Sequence, residues 1–313
     1  MTNNTHEVYL FKKKFNNLIV TVFKWLLIIG LSYIIIYPII KLAVPSFTYI
    51  TEVDDPAVIW VPSRVTIKTF TVARILLRYG STMLITVGYI ILLVFIQTFI
   101  GSFVGYAFSR FDFPLRKFWL IMLVLTMIIP YYAIEMSTRY YYTNFSLFGL
   151  IPLFNGGKTI NLLDKPYIYI LLNILGQGLK GGFFIYIFIK FYSNIPEELE
   201  ESALMDGAGF FRIYRQIILP NAKPAIITCI VLSFVWNYGD FQNSQLFNSN
   251  MQLLPFVLLR NVANITNISR TVALVYDIPR SSVTDMMIGA VQNAGILLFI
   301  LPLIIFYFLV QRR

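Results

Sequence analysis

SNIPEELEESALMDGAGFFRIYRQIILPNAKP, residues 193–224, is the one long polar stretch with a helical design of its own in a chain otherwise built of apolar runs. Asn194 is a good helix cap and Pro196 suits a first turn, where its missing N–H costs nothing. Glu197, Glu198, Glu200 and Glu201 crowd the same end, where the helix dipole favours negative charge. Leu199, Ala203, Leu204 and Ala208 recur at helical spacing and predict one small apolar face. Gly207 and Gly209 are expected to end that helix. A second short helix should follow, with Phe210, Phe211, Tyr214, Ile217 and Ile218 apolar, Arg212 and Arg215 charged, and Pro220 and Pro224 closing the unit.

Composition places this stretch in a membrane protein. The chain is 58% hydrophobic and 13% charged, whereas soluble domains are about half apolar and about a quarter charged. The net charge of +10 does not imply nucleic acid, because the basic residues are spread over the ends of apolar runs. They read as interface anchors and topology signals. The single cysteine, Cys229, lies in an apolar run and has no disulfide partner within the chain. The single histidine, His6, sits in a polar tail, so no zinc site is expected.

Six apolar runs are the expected membrane spans, at about 18–44, 79–108, 118–136, 167–191, 225–247 and 286–310. Residues 1–17, with Lys12, Lys13 and Lys14, read as a cytoplasmic tail. An even number of spans then puts Gln311-Arg312-Arg313 on the same side. The first run is too long for the apolar core of a secretion signal. The segments 45–78, 137–166 and 248–285 read as polar extracytoplasmic loops. Gly88, Gly101 and Gly105 in the second span are small enough for close helix approach in lipid. Pro130 predicts a kink in the third. Lys180 falls near the middle of the glycine-rich fourth span, and an ionisable residue at that depth marks a functional site by default. It faces a hydrated pathway or pairs with a carboxylate. Trp236, Asn237 and Asp240 interrupt the fifth span. The Asn and Asp need polar partners in lipid, either a hydroxyl-rich substrate or a neighbouring helix. Tyr140, Tyr141 and Tyr142 read first as an interfacial aromatic belt and second as an entry vestibule. Gly157-Lys158-Thr159 lacks the earlier glycine of a phosphate-binding loop, since that position is Pro152.

The run Glu201-Ser202-Ala203-Leu204-Met205-Asp206-Gly207-Ala208, followed by Ile218-Leu219-Pro220, resembles the EAA loop of ATP-binding-cassette importer permeases, with Ser202 in place of an alanine. Trp60-Val61-Pro62 with Thr66 and Phe70, Gly105-Tyr106-Ala107-Phe108-Ser109-Arg110, and Trp236-Asn237 are similar to elements of the carbohydrate-uptake branch of that family, the second permease of maltose or multiple-sugar systems. The resemblance implies an all-α protein of six transmembrane helices with the type I importer permease fold, in a bacterial plasma membrane. It implies a second, different permease, two copies of an ATPase subunit and an extracellular sugar-binding protein as partners. ATP and Mg would be bound by the ATPases and no cofactor by this chain, which would be a non-catalytic subunit. The residues implied at the ATPase dock are Glu201, Ser202, Ala203, Asp206, Gly207 and Ala208. Lys180, Trp236, Asn237 and Asp240 are candidates for the substrate pathway.

The rival class is a self-sufficient secondary transporter or channel for a small polar solute. Proton-coupled transporters use ionisable groups deep in the membrane, and here Glu135, Asp240 and Asp285 fall near span ends. No inverted repeat is evident. A solitary transporter also has no use for an ATPase dock.

Overall fold

The computed structural model describes residues 3–56, 60–62 and 64–311; Arg312 and Arg313, read above as topology signals, lie outside the described residues. In chain order the principal helices are α1 (Asn3–Phe47), α2 (Lys68–Leu77), α3 (Tyr79–Arg110), α4 (Arg116–Ile128), α5 (Tyr131–Thr143), α6 (Pro166–Ile174), α7 (Gly181–Tyr192), α8 (Glu198–Met205), α9 (Phe210–Asn221), α10 (Lys223–Tyr238), α11 (Phe241–Phe247), α12 (Ile265–Tyr276) and α13 (Asp285–Gln311). The all-α prediction holds.

Three of the six expected spans are unbroken helices long and apolar enough to cross a bilayer: Asn16–Phe47 within α1, α3 and α13. The other three are interrupted. The third breaks at Ile129-Pro130, between α4 and α5, since Pro130 has no N–H to continue the ladder. The fifth breaks at Gly239-Asp240, between α10 and α11. The fourth was expected as one helix and is two, α6 and α7. Between them Gly176 (φ 76°) and Lys180 (φ 58°) adopt left-handed backbone, which a continuing right-handed helix excludes.

Contacts divide the chain into two units, residues 1–76 with 262–301 and residues 77–261 with 302–313. The first shows that the segments 45–78 and 248–285, read as polar loops, contain the helices α2 and α12. Both helices have one apolar face. Val72 and Ala73 of α2, Ile268 and Val272 of α12, and Ala290 and Val291 of α13 share a buried core with Ile50. Thr69 and Tyr276 join hydroxyls at 2.9 Å inside this unit. The apolar side chains of α1 from Leu18 to Ile36 stay largely exposed, as a lipid-facing helix requires.

The second unit is organised on α3. Gly101 and Gly105 face Phe184 and Phe188 of α7. Gly88 faces open space. The buried core here gathers Tyr106, Phe184, Phe188, Tyr192, Tyr214 and Cys229, so Cys229 packs as a small apolar residue.

Candidate functional site

The EAA-like stretch forms the helix-turn-helix that its pattern predicts, with a shifted start. Asn194 lies in a turn and does not cap; α8 begins at Glu198 behind Glu197. The reason is upstream: Ser193 to Ile195 remain hydrogen-bonded to the last turn of α7. The end of α8 is as expected. Gly207 (φ 78°) turns the chain, its N–H bonds Leu204 O at 2.9 Å and the Ala208 N–H bonds Ala203 O at 2.9 Å. This is the paired-bond stop that a left-handed glycine allows. Gly209 then caps α9.

The expected apolar face of α8 is split. Ala203 and Ala208 pack on the buried core. Leu199 and Leu204 do not join them; Leu204 is 58% exposed and the neighbouring Met205 89%. Glu201, Ser202, Asp206 and Gly207 are exposed as well. Of the six residues expected at the dock, four therefore present outward and the two alanines set how closely α8 lies on its own subunit.

What holds α8 in place was not evident in the stretch itself. Arg110, at the end of α3, donates from Nε to Glu200 Oε1 at 2.5 Å and from Nη2 to the Ile195 carbonyl at 2.6 Å. Tyr106 donates to Glu200 Oε2 at 2.6 Å. The side chains of Arg110 and Glu200 are only 9% and 12% exposed. One turn further along α3, Ser102 bonds the hydroxyls of Tyr192 at 2.6 Å and Tyr214 at 2.7 Å. Phe210 of α9 rests on Tyr106 and Phe111, with ring centres 5.5 Å away in each case. From sequence Arg110 reads as a topology signal and as the end of the family-like Gly105–Arg110 element; neither reading pairs it with Glu200.

A second feature lies where the broken helices meet. Thr126 and Ile129 from the first break, Gly176 to Phe183 from the second, and Asn243 beyond the third line one cavity of 320 Å³. Irregular backbone at membrane depth is tolerated where it is buried in protein or lines a water-filled cavity. Lys180 lines this cavity and is exposed, at the break between α6 and α7 and not within a continuous helix. A non-glycine residue held left-handed is strained, and such strain gathers at functional sites.

The other three pathway candidates stand one step behind the wall. Trp236 packs its ring on Phe183 at 5.3 Å. Asp240 caps α11, accepting from the Asn243 N–H at 3.1 Å and from its Nδ2 at 2.7 Å. Asn237 is buried and donates to Gln97 Oε1 at 2.9 Å, which also accepts from Ser233 at 2.5 Å. Gln97 Nε2 in turn donates to Asn173 Oδ1 at 2.7 Å and to the Leu179 carbonyl at 3.3 Å. Gln97 of α3 thus supplies a partner for Asn237 Nδ2 and Tyr169 of α6 one for Asp240 at 3.4 Å, while Asn237 Oδ1 is buried with no partner among the described residues.

Comparison with known proteins decides the family. Residues 97–313 match the family described as binding-protein-dependent transport system inner membrane component. The chain belongs to this family. Its relatives include the maltodextrin transport system permease protein MalD of Streptococcus pneumoniae, 23% identical over 92% of this chain and 90% of the relative. Another is the galactooligosaccharides transport system permease protein GanQ of Bacillus subtilis, 26% identical over 93% and 91%. Among solved structures, a chain of a bacterial ABC transporter involved in the import of the acidic polysaccharide alginate superposes with a TM-score of 0.70 at 21% identity, over 95% of this chain and 97% of that one. The fold is thus that of an importer permease, and the resemblance to that family holds. As an inner membrane component, this permease works with other transporter subunits, which gives the outward face of α8 its interest.

Proposed function

We propose that this permease is one of two different membrane subunits of an ATP-driven importer for a sugar or oligosaccharide, and that α8 and α9 dock into an ATPase subunit. The observation that carries the docking reading is the outward face of α8. Leu204 and Met205 lie exposed beside Glu201, Ser202 and Asp206, while the opposite face is locked to α3 by Glu200. An amphipathic helix resting on lipid would sink its apolar side into the membrane; here the anchored side carries the buried ion pair. The names of the maltodextrin and galactooligosaccharide relatives support a carbohydrate substrate.

In this reading a binding protein delivers the sugar from outside, and the pathway passes the cavity at Lys180, whose wall Trp236, Asn237 and Asp240 support from behind. The chain itself is non-catalytic. ATP and Mg bind two ATPase subunits, and both chain termini are cytoplasmic, with the 45–78, 137–166 and 248–285 segments on the outer side. Affinity purification of the chain from its own membranes tests this. A second permease, an ATPase and a sugar-binding protein should accompany it, and Glu201→Lys should release the ATPase while the chain stays in the membrane. Recovery of the chain alone, active for uptake in liposomes without ATP, would replace this reading with a secondary transporter.

A further inference from the structure

We propose that Arg110, Tyr106 and Glu200 are positioning residues that key the docking helix to the second span, so that a displacement of α8 is passed to α3; this rests on the docking reading above. Glu200 and Glu201 are consecutive, hence about 100° apart around the helix, and the structure gives them opposite surroundings. Glu201 is exposed. Both carboxylate oxygens of Glu200 are engaged, Oε1 by Arg110 at 2.5 Å and Oε2 by Tyr106 at 2.6 Å. Arg110 also holds the Ile195 carbonyl at 2.6 Å, in the turn that leads into α8, and reaches Glu197 at 3.5 Å.

The chemistry suits a mechanical link. Charge-assisted bonds from a planar guanidinium are short and directional. With both side chains nearly removed from solvent, neither charge can exchange its partner for water without a large penalty. A surface pair would let α8 slide; a shielded one fixes it. Arg110 and Tyr106 are one helical turn apart on α3, so the carboxylate is held from two points of one rigid element. Arg110 grips both α8 and the turn that enters it, so α8 cannot tilt about that turn without straining the pair.

The test uses the full transporter with its second permease, ATPases and binding protein, reconstituted in liposomes with labelled maltotriose as the import probe. Three quantities are read: ATPase subunits retained per permease, the fold by which the binding protein stimulates ATP hydrolysis, and maltotriose imported per ATP. Glu200→Gln should keep the ATPases at the wild-type ratio yet lower the stimulation at least tenfold, with import per ATP falling alongside where maltotriose is a substrate. Tyr106→Phe, which keeps every ring contact, should lower it about threefold, and the exchange Arg110→Glu with Glu200→Arg should restore part of the loss. Glu201→Gln should instead reduce retained ATPase. Wild-type stimulation in Glu200→Gln with ATPases retained would overturn the proposal, as would loss of ATPase equal to that of the Glu201 variant. If the wild-type chain retains no ATPase, the docking reading has failed and the proposal falls with it.

Discussion

Replacing Gly105 by alanine should damage the packing of α3 on α7, while the same change at Gly88 should not. A Cβ built on Gly105 falls 2.5 Å from Phe188 Cβ and 3.2 Å from both the Ile185 carbonyl oxygen and the Ile189 nitrogen. Ordinary contact begins near 3.4 Å, so α7 must retreat by about 1 Å. The obstacle is a Cβ and two backbone atoms, and none of these can swing aside as a side-chain tip does. Overpacking of this kind costs about 1–3 kcal/mol. Alanine's better helix propensity offsets about 0.5–1 kcal/mol of it. The net loss should be about 1–2 kcal/mol, and larger for Gly105→Val. Gly88 has nothing within 4 Å of its built Cβ, so Gly88→Ala gains the propensity term alone. In lipid the loss should also be felt at the interface, because close approach there is a main source of helix affinity. Thermal unfolding in one detergent, followed by loss of monodisperse protein, reads both variants against wild type. A Gly105→Ala chain that melts at or above Gly88→Ala would refute the reasoning.

Gly207→Val places a branched residue at φ 78° and should strain the turn by at least the ~1–2 kcal/mol of left-handed backbone; uptake should be lost with the membrane level unchanged, and normal uptake by the variant would contradict it. Gln97→Leu should destabilise more than Asn237→Leu. The first removes the acceptor of the Ser233 hydroxyl and the donor to Asn173 Oδ1, at about 1–3 kcal/mol for a buried unpaired group, while Asn237 Nδ2 keeps the Ser233 carbonyl; the second leaves Gln97 Oε1 its bond from Ser233, and equal melting temperatures would count against that network. Lys180→Gly should relieve left-handed strain and raise stability by about 1 kcal/mol while lowering uptake, and a variant that is neither more stable nor slower would remove Lys180 from both roles.

The sequence carried the fold through two strong signals, apolar runs of membrane length and one glycine-ended helical stretch between them. Both survive because each is local: run length sets the span, and Gly207 sets the turn. What failed was continuity. The run 167–191 has the hydropathy of a span, but hydropathy is blind to the left-handed residues Gly176 and Lys180 that split it. The polar segments 45–78 and 248–285 hid α2 and α12 because their apolar faces are narrow and meet residues far away in sequence, as Val72 and Val272 share one buried core. Half of the EAA-like loop was legible for the same reason. Its outward residues lie in the motif, while its anchor, Arg110, is ninety residues from Glu200.

These separate findings meet on α3. At 32 residues it is about 48 Å long, and it is unbroken where three other spans are not. At one end Arg110 and Tyr106 hold α8, and Ser102 holds Tyr192 and Tyr214. Gly105 and Gly101 then seat α7 against it. Next, Gln97 reaches Asn173 and the Leu179 carbonyl across one break and Asn237 just before another. Towards the far end, Tyr89 bonds Asn248 at 3.1 Å and Thr86 accepts from the Leu254 N–H at 2.7 Å. A continuous helix resists bending because each turn is tied to the next, whereas a broken one can pivot at its gap. The arrangement therefore joins one continuous helix, fixed to α8 at one end, to interrupted segments that line the cavity along its middle. On the docking reading proposed above, a push on α8 would pass along α3 to Gln97 and meet there the break at which Leu179 and Lys180 line the cavity.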